Sequence, residues 1–242
     1  MSTKFTVNCQ ECSLSELCIP KSLSASEMDI VDAEIKRAEP IHKNNHIFSA
    51  GDIFTSLYAV RSGAIKSFSL DDKGEEHVIG FFMPGEIIGL DAIDSGMHSH
   101  SAKALETSSI CEIPYHQVEQ LSSKISKLQS HMYRLLSREI REDQDLQLLL
   151  SKKTAEERIG AFLLNLSGRY KQRHLSATSF RLPMPRTDIA NYLGLAVETV
   201  SRVLTRLQSQ KILSVEGKEV EILDHKRLRL ASHADCTNLY SS

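Results

Sequence analysis

Between Tyr115 and Leu150 the chain holds neither glycine nor proline, while the stretch before it, from Ile41 to Pro114, is cut repeatedly by glycine turns. Few features restrict a fold more than such a switch. The turns Ser49-Ala50-Gly51-Asp52, Arg61-Ser62-Gly63, Asp71-Asp72-Lys73-Gly74 and Pro84-Gly85 separate short runs such as Leu57-Tyr58-Ala59-Val60 and Ala64–Leu70. Many short strands with regular turn signals predict a β-barrel or jelly-roll-like domain. Strong helix formers without breakers then predict one long helix over 115–150. The expected class is α+β.

The helix carries two apolar stripes, and two stripes require two partners. Ile125, Leu128, Met132 and Leu135 can pack on the chain's own β domain. Tyr133, Leu136, Ile140, Asp143, Gln147 and Leu150 follow spacings of 3, 4, 3, 4 and 3, the repeat of a candidate dimer seam. The alternative is a helix buried within one subunit. Asp143 in that stripe would face, or nearly face, its own copy in a parallel two-fold pair.

At 242 residues, 41% hydrophobic and 25% charged, the chain has room for two ordinary domains. Met1 to Val7 has no apolar stretch of signal-peptide length. The apolar run Ile79–Leu90 is interrupted by Gly80, Pro84, Gly85 and Glu86, too short for a membrane span. The expectation is a cytoplasmic protein without a membrane partner, whose thiols stay reduced. Residues 154–242 carry 13 Lys+Arg against 9 Asp+Glu, and residues 1–153 carry 16 against 22. A basic segment on an acidic body suits phosphate contact by the C-terminal part.

That part contains Arg186-Thr187-Asp188-Ile189-Ala190-Asn191-Tyr192-Leu193-Gly194, followed by Leu195 to Leu204. The pattern is that of a helix-turn-helix. Thr187 or Asp188 can cap the first helix, Ala190 is small where the helices approach, Gly194 supplies the turn, and Val200 and Leu204 face inward. Val197, Glu198, Ser201 and Arg202 are left facing outward, where a recognition helix presents groups to base edges. Arg202 can bond guanine, Glu198 can accept from cytosine, and Val197 or Ser201 can touch a thymine methyl. Arg186 suits a phosphate. Ser214–Val220 reads as a small hairpin, the wing.

At the other end stand Cys9-x2-Cys12-x5-Cys18, with Cys111 far down the chain in the strand-like run Ser108–Ile113. Clustered cysteines in a reducing compartment read as metal ligands or redox groups. Iron–sulfur clusters are usually held by four thiolates, and so is structural zinc. Three come from the N-terminal run, so a fourth must come from Cys111 or Cys236. Cys236, near a polar C-terminus, reads as incidental; spacing alone does not separate iron–sulfur from zinc.

Together these stretches resemble the FNR subgroup of the CRP/FNR transcription regulators over nearly the whole chain from Cys9 onward. The resemblance is carried by Cys9-x2-Cys12-Ser13-x4-Cys18-Ile-Pro20, Ser56–Gly63, Ala104–Ser108, Cys111–Pro114, Asp143-Gln-Asp145, Leu148–Lys153 and Val197–Arg202. It implies a β-roll like that of cyclic-nucleotide-binding domains, a dimerisation helix and a winged helix. It also implies an oxygen-labile [4Fe–4S] cluster, one per subunit, on Cys9, Cys12, Cys18 and Cys111. The implied function is an oxygen-responsive global regulator, binding DNA as a cluster-loaded homodimer without oxygen. Oxygen degrades the cluster through a [2Fe–2S] form and leaves inactive monomers. The implied sites are of the form TTGAT-N4-ATCAA, and the implied outcome is activation or repression of genes of anaerobic metabolism.

The domains expected on this basis are a cluster segment (1–27), a β-roll sensor (28–114), a dimerisation helix (115–152) and a winged-helix DNA-binding domain (153–242). A cyclic-nucleotide ligand is not expected: Leu90 stands where that cassette has a ribose-binding Glu, and His100 where it has a phosphate-binding Arg. No P-loop, G-x-G-x-x-G or nucleophile elbow suggests an enzyme. The turn 72–75, with Gly74 and Glu75, matches a family surface that touches RNA polymerase, although a solvated hairpin explains its charges equally well.

Overall fold

The computed structural model describes residues 8–19, 21, 23–37 and 39–232; Pro20 and Cys236 lie outside them. Contacts divide the chain into two compact units, Met1–Ile140 and Arg141–Ser242.

In the first unit the glycine-punctuated stretch forms eight short strands: β1 (Lys36–Arg37), β2 (His46–Phe48), β3 (Ser56–Ser62), β4 (Ile65–Leu70), β5 (Glu76–Phe82), β6 (Ile87–Ile88), β7 (Ser101–Ala104) and β8 (Ser109–Pro114). They pair antiparallel into two four-stranded sheets, ordered β1-β8-β3-β6 and β2-β7-β4-β5. Strand residues alternate between faces. Val60 and Ile88 therefore join Phe48, Ile65, Ala102 and Ala104 in one cluster. Leu57, Ala59, Ile87 and Ile113 point into a second.

That second cluster is closed by α1 (Ala25–Glu34), α2 (Tyr115–Lys124), the start of α3 (Ser126–Lys152) and the cysteine segment. The segment has little apolar content of its own, and it is anchored by Ile19, which is fully buried. Helix α1 starts at a capping box in which Ser24 and Glu27 each satisfy the other's backbone N–H. The second apolar stripe behaves as expected: Ile125, Leu128, Met132 and Leu135 are all buried here.

The single helix expected over 115–150 is in fact two. Ile125 is extended (φ −116°, ψ 92°) and separates α2 from α3. Its N–H still reaches Leu121 O at 2.8 Å, while its carbonyl accepts the Leu128 N–H at 3.0 Å. Ser122, Ser123 and Ser126 surround this β-branched residue. Such residues form helix less readily, and serine offers the backbone competing hydrogen bonds. Burial of the Ile125 side chain then fixes the break.

In the second unit α4 (Ala155–Gln172) starts at a capping box of Thr154 and Glu157. It buries Ile159, Phe162, Leu163 and Leu166. Helices α5 (Arg186–Tyr192), α6 (Val197–Ser209) and α7 (His225–Ala231) follow in sequence around a three-stranded sheet. Its strands are β9 (Ser179–Arg181), β10 (Leu213–Glu216) and β11 (Glu219–Ile222), in the order β10-β11-β9. The anticipated hairpin is β10–β11. Leu166 is fully buried; Leu166→Ala should lower the stability of this unit by about 2–5 kcal/mol, read as a shifted urea midpoint. A loss well below that would mean the site collapses without leaving a cavity. Among the described residues no helix is long and apolar enough to cross a membrane.

Candidate functional site: a thiol-lined cavity and a helix-turn-helix

The cysteine segment is a succession of turns. Cys12 N–H reaches Cys9 O at 3.4 Å and Cys18 N–H reaches Leu14 O at 3.0 Å. Tertiary contacts fix both ends. Cys9 N–H donates to Asp32 Oδ1 at 2.7 Å, and the buried His131 ring lies 3.1 Å from Cys18 O through Nε2. Leu17 packs on the Pro84-Gly85 turn, where a Cβ on Gly85 would sit 2.8 Å from Leu17 Cβ; only glycine fits.

Cys111 lies on β8, with Ala59 of β3 on one side and Arg37 of β1 on the other. Cys9, Cys12, Cys18 and Cys111 all line one cavity, with apolar neighbours Ile35, Ala59 and Ile113 and the cation Arg61. The four expected cysteines, drawn from opposite ends of the first unit, therefore meet, and no disulfide joins them.

Burial dominates the acid–base chemistry of Cys9, Cys18 and Cys111. It raises the Cys9 thiol well above the ordinary range, helped by the Asp32 carboxylate, and pushes Cys18 up to about 12. Cys111 is also raised by burial, with Arg37 and Arg61 opposing. Without a metal these thiols stay protonated, so loading must release protons. Among the described residues no three His, Cys, Asp or Glu side chains converge closely enough to hold a single metal ion. Beside the cysteines, Arg37 Nη2 lies 3.9 Å from Cys9 Sγ, and among the described residues its buried Nε has no partner, which leaves a donor suited to an anionic guest. Thiol donors, apolar walls and this unspent donor fit an iron–sulfur cluster, whose iron favours thiolate sulfur.

In the second unit α5 and α6 form the helix-turn-helix. Gly194 takes the left-handed conformation (φ +62°) that the turn requires. Ala190, Val200 and Leu204 are buried as expected, and Leu193, Val203 and Leu207 complete the contact. The cap differs from expectation. Helix α5 begins at Arg186, after Pro185, with no side-chain cap, which leaves Thr187 and Asp188 inside the first turn. Proline pre-sets the extended entry, and Asp188 complements the positive end of the helix.

Glu198 and Arg202 are exposed on α6, with Val197 and Ser201 partly so. Arg202 rests against Thr199 Oγ1 at 3.1 Å. Arg186 Nη1 lies 3.5 Å from Ser201 Oγ, which brings this cation beside the outward face of α6. Sequence reasoning missed Arg158. Its guanidinium donates to Lys153 O, Leu193 O and Leu150 O at 2.9, 2.9 and 2.8 Å, tying the end of α3 to the turn after α5. No local sequence signal marks that role.

On α3, Tyr133, Ile140, Asp143 and Gln147 are exposed and Leu136 is partly buried. Tyr133 and Ile140 keep 64% and 59% of their surface, so the seam stripe is not consumed within its own subunit. The 72–75 turn is also exposed, held by Asp71 Oδ1, which accepts the N–H groups of Lys73 and Glu75. Leu90 packs into the apolar cluster, and Asp91 Oδ2 accepts both the N–H and the hydroxyl of Ser99.

The family model for a cyclic nucleotide-binding domain matches residues 38–124, and that for a Crp-like helix-turn-helix domain matches residues 157–231. Transcriptional activator protein Anr of Pseudomonas protegens is 53% identical over 217 residues, covering 90% of this chain and 89% of its own. The chain belongs to the FNR-type regulators of the CRP/FNR family. The fumarate and nitrate reduction regulatory protein of Escherichia coli K12 is 50% identical over 228 residues, covering 94% and 91%. The solved structure of FixK2 from Bradyrhizobium japonicum has a TM-score of 0.73 at 30% identity, covering 81% of this chain and 97% of its own. Like its relatives, this FNR-type chain is a DNA-binding transcription regulator and not an enzyme; regulators of the family act as dimers.

Proposed function

We propose that this FNR-type regulator senses oxygen through a [4Fe–4S] cluster on Cys9, Cys12, Cys18 and Cys111 and, when loaded, binds DNA as a homodimer. The observation that carries the reading is the meeting of those four thiols around one cavity. Zinc would also take four thiolates, and the assay below separates the two. When bound, the cluster supplies an oxygen-reactive group. The rest is done by the chain: the turns of the cysteine segment present three thiols, β8 presents the fourth, and Ile35, Ala59 and Ile113 exclude water. Because the segment packs on α1 and the start of α3, its order bears directly on the helix that carries the seam. The relatives named for fumarate and nitrate reduction suggest target genes of anaerobic metabolism, activated or repressed. Iron and acid-labile sulfide assayed on anaerobically purified protein test the reading. About four of each per subunit, without zinc, support it; stoichiometric zinc without sulfide overturns it.

The dimer is assigned to the stripe Tyr133, Leu136, Ile140, Asp143 and Gln147. A cytoplasmic location and the absence of a cyclic-nucleotide ligand belong to the same reading. Leu90 and Asp91 support the latter, because one is spent in the core and the other on Ser99. The turn bearing Gly74 and Glu75 is assigned to contact with RNA polymerase on its resemblance to the family surface, and its exposure leaves it accessible.

A two-fold dimer should cover half-sites about one helical turn (roughly 10–10.5 base pairs) apart, as in TTGAT-N4-ATCAA. Losing Glu198 or Arg202 should cost about 1–3 kcal/mol and relax preference at one position of each half-site. Arg186→Ala should weaken all sequences alike and flatten the salt dependence. Competition binding against every single-base change checks this. Full discrimination in Glu198→Ala with altered discrimination in Arg186→Ala would reverse the assignment, and the closeness of Arg186 to Ser201 makes the comparison informative.

A further inference from the structure

Cys9 and Cys111 belong to segments far apart in sequence, and one ion pair lies beside both. Asp32, near the end of α1, accepts the backbone N–H of Cys9 at 2.7 Å and is also bonded by Arg37 Nη2. The same Nη2 lies 3.9 Å from Cys9 Sγ. Arg37 is the Cα partner of Cys111 across the β1–β8 pair. Directly opposed residues of an antiparallel pair carry their side chains on one face, with Cβ atoms about 4.5–5.5 Å apart. Arg37 thus approaches the Cys9 thiol through its guanidinium and starts from the strand position opposite Cys111, with side-chain exposure of 18%. Two of its nitrogens are unequal: one is committed to Asp32, and Nε is buried with no partner among the described residues.

A carboxylate beside an iron–sulfur site is unfavourable on its own. Four thiolates outweigh the positive charge of a [4Fe–4S] core, so the loaded site is anionic, and a second anion at Asp32 would oppose it. Arg37 removes that conflict. It neutralises Asp32, which is then free to hold Cys9 in place through its N–H, and it leaves a donor and a positive charge toward the ligand sulfurs. Hydrogen bonds and charges around the sulfurs are among the factors that set cluster stability and potential.

We propose that Arg37, braced by Asp32, is a positioning and charge-compensating residue of the cluster site, holding Cys9 and offsetting the charge of the thiolate-bound cluster. This rests on the iron–sulfur reading above. Neither residue is itself a ligand.

The test uses full-length wild type, Arg37→Gln and Arg37→Lys, each reconstituted without oxygen from ferrous iron and sulfide. Two quantities are read: the rate of iron loss to a ferrous chelator in the absence of oxygen, and the midpoint reduction potential of the cluster. Arg37→Gln should lose iron about 10- to 100-fold faster and show a more negative potential, because a neighbouring positive charge is gone. Arg37→Lys, which keeps the charge but not the fork, should restore the potential and part of the retention. Loss rates and potentials equal to wild type in Arg37→Gln overturn the proposal, as does Arg37→Lys behaving like Arg37→Gln in both. Should Arg37→Gln hold no cluster at all, apoprotein melting decides: an unchanged melting temperature supports the proposal, and a lowered one shows that the pair merely braces the fold. A wild-type protein that takes up no cluster overturns the iron–sulfur reading itself, and is recognised without any variant.

Discussion

Serine at any one of Cys9, Cys12, Cys18 or Cys111 should abolish the anaerobic iron chromophore and anaerobic DNA binding together, whereas Cys236→Ser should disturb neither. The substitution is nearly isosteric, so its effect is chemical. A hydroxyl is a harder, less acidic donor than a thiol, and iron–sulfur cores are held by thiolates. Each of the four lines the same cavity, and among the described residues no other thiol does. Cys9 is buried in the apolar cluster and Cys18 and Cys111 pack against it; the apoprotein melting temperature of each variant therefore serves as the control for packing. Visible absorbance and a duplex-binding isotherm on the same anaerobic samples give the result. A normal cluster in Cys111→Ser with loss in Cys236→Ser would mean that the fourth ligand is wrongly chosen.

Asp143→Ala should allow the protein to dimerise and bind DNA in air without a cluster, and Ile140→Glu should abolish dimers even without oxygen. Both side chains are exposed on α3, in the stripe that leaves Tyr133 and Ile140 uncovered in the single subunit. A parallel two-fold pair sets each Asp143 near its copy. Two like charges in a partly dry seam oppose association by about 1 kcal/mol or more, about a fivefold or larger change in dimer affinity. Such a seam is marginal, so a modest change in α3 suffices to tip it. The buried stripe of α3 shares its apolar cluster with Cys9 and Ile19, which gives the cysteine segment a physical hold on that helix. Sedimentation in air supplies the measurement; an unchanged monomer for Asp143→Ala would remove this account of the switch.

What could be read from the sequence was local chemistry. The helix-turn-helix announces itself because Ala190, Gly194, Val200 and Leu204 obey spacing rules within a few turns of chain. Glycine turns likewise mark the β-roll, and the two stripes of α3 follow directly from helical periodicity. The helix break at Ile125 escaped because no glycine or proline marks it; the signal was a serine cluster of weak helix formers around a residue whose burial decides the geometry. Helix α1 was overlooked although Ser24 and Glu27 spell a capping box. The Asp32–Arg37 brace and the Arg158 fork were illegible for a different reason. Asp32 meets Cys9 across 23 positions and Arg158 meets Leu193 across 35, and no periodicity links residues so far apart. The meeting of Cys111 with the N-terminal cysteines was likewise supplied by resemblance, since spacing left Cys236 and zinc open.

The coupling of cluster, dimer and DNA is tested most directly on one anaerobic preparation, followed through visible absorbance, sedimentation and binding to a TTGAT-N4-ATCAA duplex before and after admission of air. The account predicts brown, dimeric protein that binds the duplex, and bleaching, dissociation and loss of binding together once air is admitted. Colourless protein carrying zinc, with duplex binding unchanged by air, would contradict it.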